Sequence, residues 1–340
     1  MPWNADPGRG RRNHLWIGLA KFALVGIILW WLYQRGEVRP ERLRQALEHW
    51  PMFLAASAIT LFGTYIQGFR WLGLLKSRHI EIPATDAFDH FMQGKFFNLI
   101  VPGYVGADLI RGLHAIRTHP GSRSTVIASL LADRVLGVFT MLTLAASGLL
   151  LRPALLRDPR LRALSMICLG AMIAAVAGFI VLRVMQSPPA FVLNLARHLH
   201  LDVAIDVMYS EGRHYARSTP LLLRALGVTL FVQGVMIASF YLLGQSLGMG
   251  DVTVLDFVVF ASCGMLATML PVAPMGLGVG QLAFLALFQF AHSDQGGNLY
   301  SLYFLMISAI SLLGGFFYMR DKSGSRAARG QTLRPLHSPY

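Results

Sequence analysis

The chain has 340 residues, of which 54% are hydrophobic and only 14% charged, and its mean hydropathy is +0.51. Soluble domains carry about a quarter charged residues, so this composition argues against a soluble protein and for a polytopic membrane protein. The formal charge of +13 does not indicate nucleic-acid binding, because the basic residues sit at the ends of apolar segments and not on one polar face.

Residues 1–14 form a basic tail containing Arg9, Arg11 and Arg12. The apolar segment 15–33 is too long for the core of a signal peptide and has no small-x-small cleavage site, so it predicts a retained first span in which Lys21 snorkels. In "PERLRQALEHW" Leu43, Leu47 and Trp50 share one helical face opposite the charges, which predicts a helix along the interface. A second span covers 52–75 and carries Arg70 near its end. That arginine either snorkels or serves a site within the membrane. Block 88–116 is apolar but broken at "VPGYVG": Pro102 lacks an N–H, and Gly103 and Gly106 favour a turn, so two short helices should meet there. The third span, 125–151, holds Asp133 and Arg134 too deep for snorkelling. Neighbours in sequence do not share a helix face, so each needs a partner on another helix. Span four covers 163–182. The mixed apolar and basic stretch 187–219 should lie on the cytoplasmic interface, and span five covers 221–247. Block 254–290 repeats the interruption as "LPVAPMGLGVGQ", with Pro271, Pro274, Gly276, Gly278 and Gly280. Span six, 299–319, precedes a basic tail, 321–340, expected to be disordered. One transmembrane domain, 15–320, thus lies between two tails.

The arginines of both tails place both termini in the cytoplasm, with six full spans between them. Each broken block must then enter and leave on one face. The first is flanked by Lys76, Arg78, Arg117 and Arg123, and so enters from the cytoplasm; the second is flanked by Asp251, Asp256 and Asp294, and enters from the opposite side. Loops 34–51 and 152–162 run against this scheme, since each would be external yet holds four arginines. The fold class expected is an all-α polytopic membrane bundle: six spans plus two re-entrant broken-helix hairpins, arranged like an inverted repeat.

Backbone that is not helical survives at membrane depth only when it is buried in protein or lines a wet cavity. Two Gly/Pro breaks at matching positions in oppositely facing halves point to a transporter site near the midplane, where half-helix N-termini favour an anion. The competing account is that both breaks are kinks where glycines let helices approach. The candidate binding residues are Arg70, Lys95, Asn98, Pro102, Gly103, Gly106, Asp108, Arg111, Asp133, Arg134, Pro274, Gly276, Gly278 and Gln281. Asp108 and Arg111 are one turn apart and can pair, and Arg111 with Arg134 is the expected anion site, steadied by Asp108 and Asp133. "GLGVG" follows no strand, so it is not a dinucleotide loop. Cys168 and Cys263 lie within spans, and His90 and His114 have no metal-ligand spacing. No catalytic constellation, metal site or cofactor is expected.

Three segments, "FFNLIVPGYVGADLIRGLHAIR", "SLLADRVLGV" and "PVAPMGLGVGQLAF", resemble the hallmark blocks of the lysylphosphatidylglycerol synthase/flippase transmembrane family. The resemblance runs from about residue 15 to 320. Phe96, Phe97, Asn98, Pro102, Gly103, Gly106, Asp108 and Arg111 match the first block. Asp133-Arg134 stands where the family usually has Glu-Arg, and Gln281 where it usually has glutamate, which removes an acid from the second break. Some members are fused to a cytoplasmic synthase of aminoacyl-phospholipids and flip its product. Others stand alone, and this chain resembles those. The resemblance implies an inner-membrane lipid flippase or flippase-like transporter of an anionic phospholipid, polyprenyl-phosphate, glycolipid or hopanoid-type amphiphile. The alternative is a membrane-embedded enzyme, for which Asp86 with Asp89 or Asp202 with Asp206 would be the acids, or an accessory subunit of a lipid-modifying pathway. Lipid-modifying enzymes and further copies of the chain are compatible partners.

Overall fold

The computed structural model describes residues 48–99, 101, 105–189 and 202–332, with isolated positions between 30 and 44. The first span, most of the 34–51 segment, Pro102 and Gly103 lie outside the described residues. Within them the chain is all-helical: α1 (Trp50–Lys76), α2 (Ala84–Asn98), α3 (Val105–Thr118), α4 (Arg123–Leu151), α5 (Pro159–Val184), α6 (Asp202–Arg217), α7 (Thr219–Ser246), α8 (Val254–Thr268), α9 (Val279–Phe288) and α10 (Gly296–Thr332). Five of these, α1, α4, α5, α7 and the first part of α10 (Gly296–Phe317), are long and apolar enough to cross a membrane, which takes about 20 residues. They are the second to sixth spans read from the sequence. α5 turns almost its whole surface outward, with Met166, Ile167, Ile173 and Val184 each more than half exposed. Such a belt suits hydrocarbon and not water.

Local chemistry sets the helix ends. Asp158 accepts the Arg160 N–H (2.7 Å) ahead of Pro159 at the start of α5. Thr253 and Asp256 cap one another at the start of α8, with Asp256 Oδ2 accepting the Thr253 N–H at 3.1 Å. The last helix, α10, runs to Thr332. α6 packs one side into the bundle: Glu211 and Tyr215 are buried, and Arg78 holds Glu211 at 2.7 Å.

α1 and α7 pack along their lengths. Thr60 Oγ1 meets Ser239 Oγ at 2.7 Å, and Arg70 Nη1 donates to Thr229 Oγ1 at 2.8 Å, which fixes an antiparallel register. On one flank the first hairpin's α2 packs on α10, and on the other the second hairpin's α8 packs on α4. This exchange of partners is what two related halves produce. The α2–α10 approach requires Gly314, where a Cβ would sit 2.0 Å from the Met92 carbonyl oxygen. The largest core, built from Phe240, Phe257, Phe284, Phe288, Tyr300 and Tyr303, surrounds the second hairpin.

The hairpins open at opposite ends of α4. Only four residues separate α3 from the start of α4. At the other end Arg152 donates to Thr253 Oγ1 (2.9 Å) and pairs with Asp256 (3.2 Å) at the mouth of the second hairpin. α4 has 29 residues, about 43 Å of helix, so the two mouths are a bilayer's thickness apart.

Candidate functional site

The tips of both hairpins close on one cavity of about 240 Å³, lined by Asn98, Ala107 and Asp108 from the first and by Thr268, Met269 and Met275 from the second. α1, α4, α7 and α10 complete the wall.

Asn98 explains the polar residue that ends α2. Its Oδ1 accepts the Ala107 N–H at 2.9 Å, so the side chain caps α3 across the break. At the second tip Met275, Gly276 and Gly278 adopt positive φ values of 50°, 70° and 82°, the region where glycine costs least. Tyr300 donates to the Met275 carbonyl at 2.6 Å, and Gln281 Oε1 accepts the Gly278 N–H at 2.7 Å. Gln281 therefore does the work of a helix cap, which an amide performs as well as a carboxylate. At both tips, side chains of the chain itself already take up N–H groups of the half-helix start.

Charge at the site comes from side chains. Asp133 accepts from Arg70 Nε at 2.7 Å and Arg111 Nη2 at 2.9 Å. Asp108 pairs with both Arg111 and Arg134. Asp108 and Arg111 thus pair within α3, and Asp133 and Arg134 find partners on other helices, as the spacing requires. Arg111 also lies 5.0 Å from the Trp71 ring and 5.6 Å from that of Phe91, and its Nε and Nη1 have no hydrogen-bond partner among the described residues. Lys95 Nζ rests 5.8 Å from the Phe91 ring, and no carboxylate among the described residues pairs with it. The lining thus carries four cations, Arg70, Lys95, Arg111 and Arg134, against Asp108 and Asp133: two positive charges in excess. All six groups stand on α1 to α4, and α7 to α10 supply only neutral lining.

Of the candidate residues, the fold brings Arg70, Lys95, Asn98, Asp108, Arg111, Asp133 and Arg134 to the cavity. Gly106, Pro274, Gly276, Gly278 and Gln281 lie in the tips behind the lining. Sequence reasoning missed Thr60, Thr64 and Gln67 on α1 and Thr229 and Gln233 on α7, which also face the cavity. Their signal is a stripe of polar residues three and four apart in otherwise apolar helices. His90 and His114 stack at 3.8 Å across the first hairpin, away from the lining.

No curated protein and no solved structure matches the chain. The lysylphosphatidylglycerol synthase TM region family matches residues 18–315, which takes in both broken hairpins and every charged residue of the cavity. The chain is therefore a multi-pass membrane protein of the lysylphosphatidylglycerol synthase TM region family.

Proposed function

We propose that the protein is a lipid flippase or flippase-like transporter of the inner membrane that moves an amphiphile with an anionic headgroup between leaflets. One observation carries this reading: both hairpin tips face a single cavity whose lining has two positive charges in excess. An anion relieves that excess, and arginine and lysine suit phosphate. Methionines 141, 236, 265, 269 and 275 give the same cavity an apolar, adaptable side. Both carboxylates are held by arginines, which suits binding better than proton transfer and favours transport over membrane-embedded catalysis.

The test is reconstitution of the purified protein into vesicles carrying fluorescent phosphatidylglycerol in both leaflets. Dithionite, which bleaches only the outer leaflet, should remove nearly all the signal from vesicles with protein and about half without it. Equal bleaching in both would end the flippase reading.

In this proposal both termini face the cytoplasm, with the hairpins entering from opposite faces. Cysteines placed at Thr118 and Asp294, both exposed, should react with an impermeant maleimide from opposite sides of the membrane. Labelling from one side would overturn the topology.

A further inference from the structure

Gln67 and Gln233 line the cavity, and neither side chain has a hydrogen-bond partner among the described residues. Gln233 is only 6% exposed. The neighbouring threonines are satisfied: Thr64 donates to the Thr60 carbonyl at 2.8 Å and Thr229 to that of Ala225 at 2.6 Å. Amides without a protein partner that open onto a cavity at such depth call for water or a ligand to meet them.

Their placement is specific. In the antiparallel register set by Arg70 with Thr229 and Thr60 with Ser239, Gln67 and Gln233 fall opposite one another. Each lies one helical turn from the Arg70–Thr229 contact, and in the same direction, so the pair stands about 5 Å along the helices from that contact. That offset suits a glycerol or cyclic polyol esterified to a phosphate held by the cations. A carboxamide both donates and accepts, which is the complement of a hydroxyl.

We propose that Gln67 and Gln233 form a second, neutral subsite that reads hydroxyl groups, so that the headgroup is a phosphate diester bearing a polyol or sugar. This rests on the anionic-headgroup reading above. It adds a determinant of specificity separate from charge.

Binding separates the two. Dioctanoyl phosphatidylinositol and dioctanoyl phosphatidylethanol carry the same phosphodiester charge and differ in hydroxyls. Titrated calorimetrically into the detergent-solubilised full chain, the inositol lipid should bind about tenfold more tightly, the worth of one net hydrogen bond. Gln67→Leu and Gln233→Leu should each remove that preference while changing phosphatidylethanol affinity less than about twofold. Lys95→Gln should weaken both lipids and keep their ratio. Equal affinities in the wild type, or glutamine variants that weaken both lipids alike, overturn the proposal. Gln67 is only half-buried, so Gln67→Leu stays informative if Gln233→Leu misfolds. Free inositol 1-phosphate binding as tightly as the lipid keeps the subsite but makes its ligand a soluble phosphate ester. Selective binding with no leaflet transfer likewise keeps the subsite and sinks the flippase reading.

Discussion

Asp133→Asn is expected to deprive the protein of a stable fold. The carboxylate serves two guanidiniums, Arg70 and Arg111, whose side chains are only 4% exposed. A neutral amide leaves both charges buried with Asp108 as the one remaining acid of the cavity lining among the described residues, and Asp108 is also held by Arg134. Removing one partner of a buried ion pair costs roughly 3–5 kcal/mol, a large part of a typical total stability of about 5–15 kcal/mol. Asp133→Asn should therefore elute aggregated from detergent or melt far below the wild type. Asp108→Asn should be milder, because the Arg134 side chain is 31% exposed and can turn toward water. A monodisperse Asp133→Asn protein with an unchanged melting temperature would show the network to be dispensable.

Lys95→Gln should do the opposite: leave the fold intact and slow the proposed lipid transfer. No carboxylate among the described residues depends on Lys95, so its removal orphans no charge. The headgroup, however, loses a cation. Unit charges 4 Å apart at an effective dielectric of 20 attract by roughly 4 kcal/mol, enough for a fall of tenfold or more in transfer of an anionic lipid. Lys95→Arg should restore it. Transfer at the wild-type rate by Lys95→Gln would place the headgroup elsewhere.

These contrasts show where sequence reasoning stops. Hydropathy marked the described spans and both breaks, because the cost of burying a backbone break in lipid is independent of what packs nearby. The i, i+3 spacing of Asp108 and Arg111 gave their ion pair, and the adjacency of Asp133 and Arg134 implied cross-helix partners. Sequence alone does not decide between snorkelling and function for Arg70, since its bond to Asp133 depends on how α1 is set against α4, and no local pattern encodes that register. The same holds for Gln67 and Gln233: an isolated glutamine in an apolar helix carries no mark of the helix it will face. The glutamine replacing the family's usual acid at position 281 looked like a lost charge and proves to cap α9.

The confinement of every ionisable lining group to α1 to α4 makes the two halves electrically unlike. A potential across the bilayer pulls on the cavity lining of α1 to α4 and not on the neutral lining from α7 to α10. If the α1 to α4 half shifts along the membrane normal, two elementary charges travel with it, at about 2.3 kcal/mol each for a full crossing of 100 mV. A bound headgroup of opposite charge cancels part or all of this. For the transporter proposed above, voltage then weights the unloaded protein toward one orientation and lets go of it once cargo is aboard.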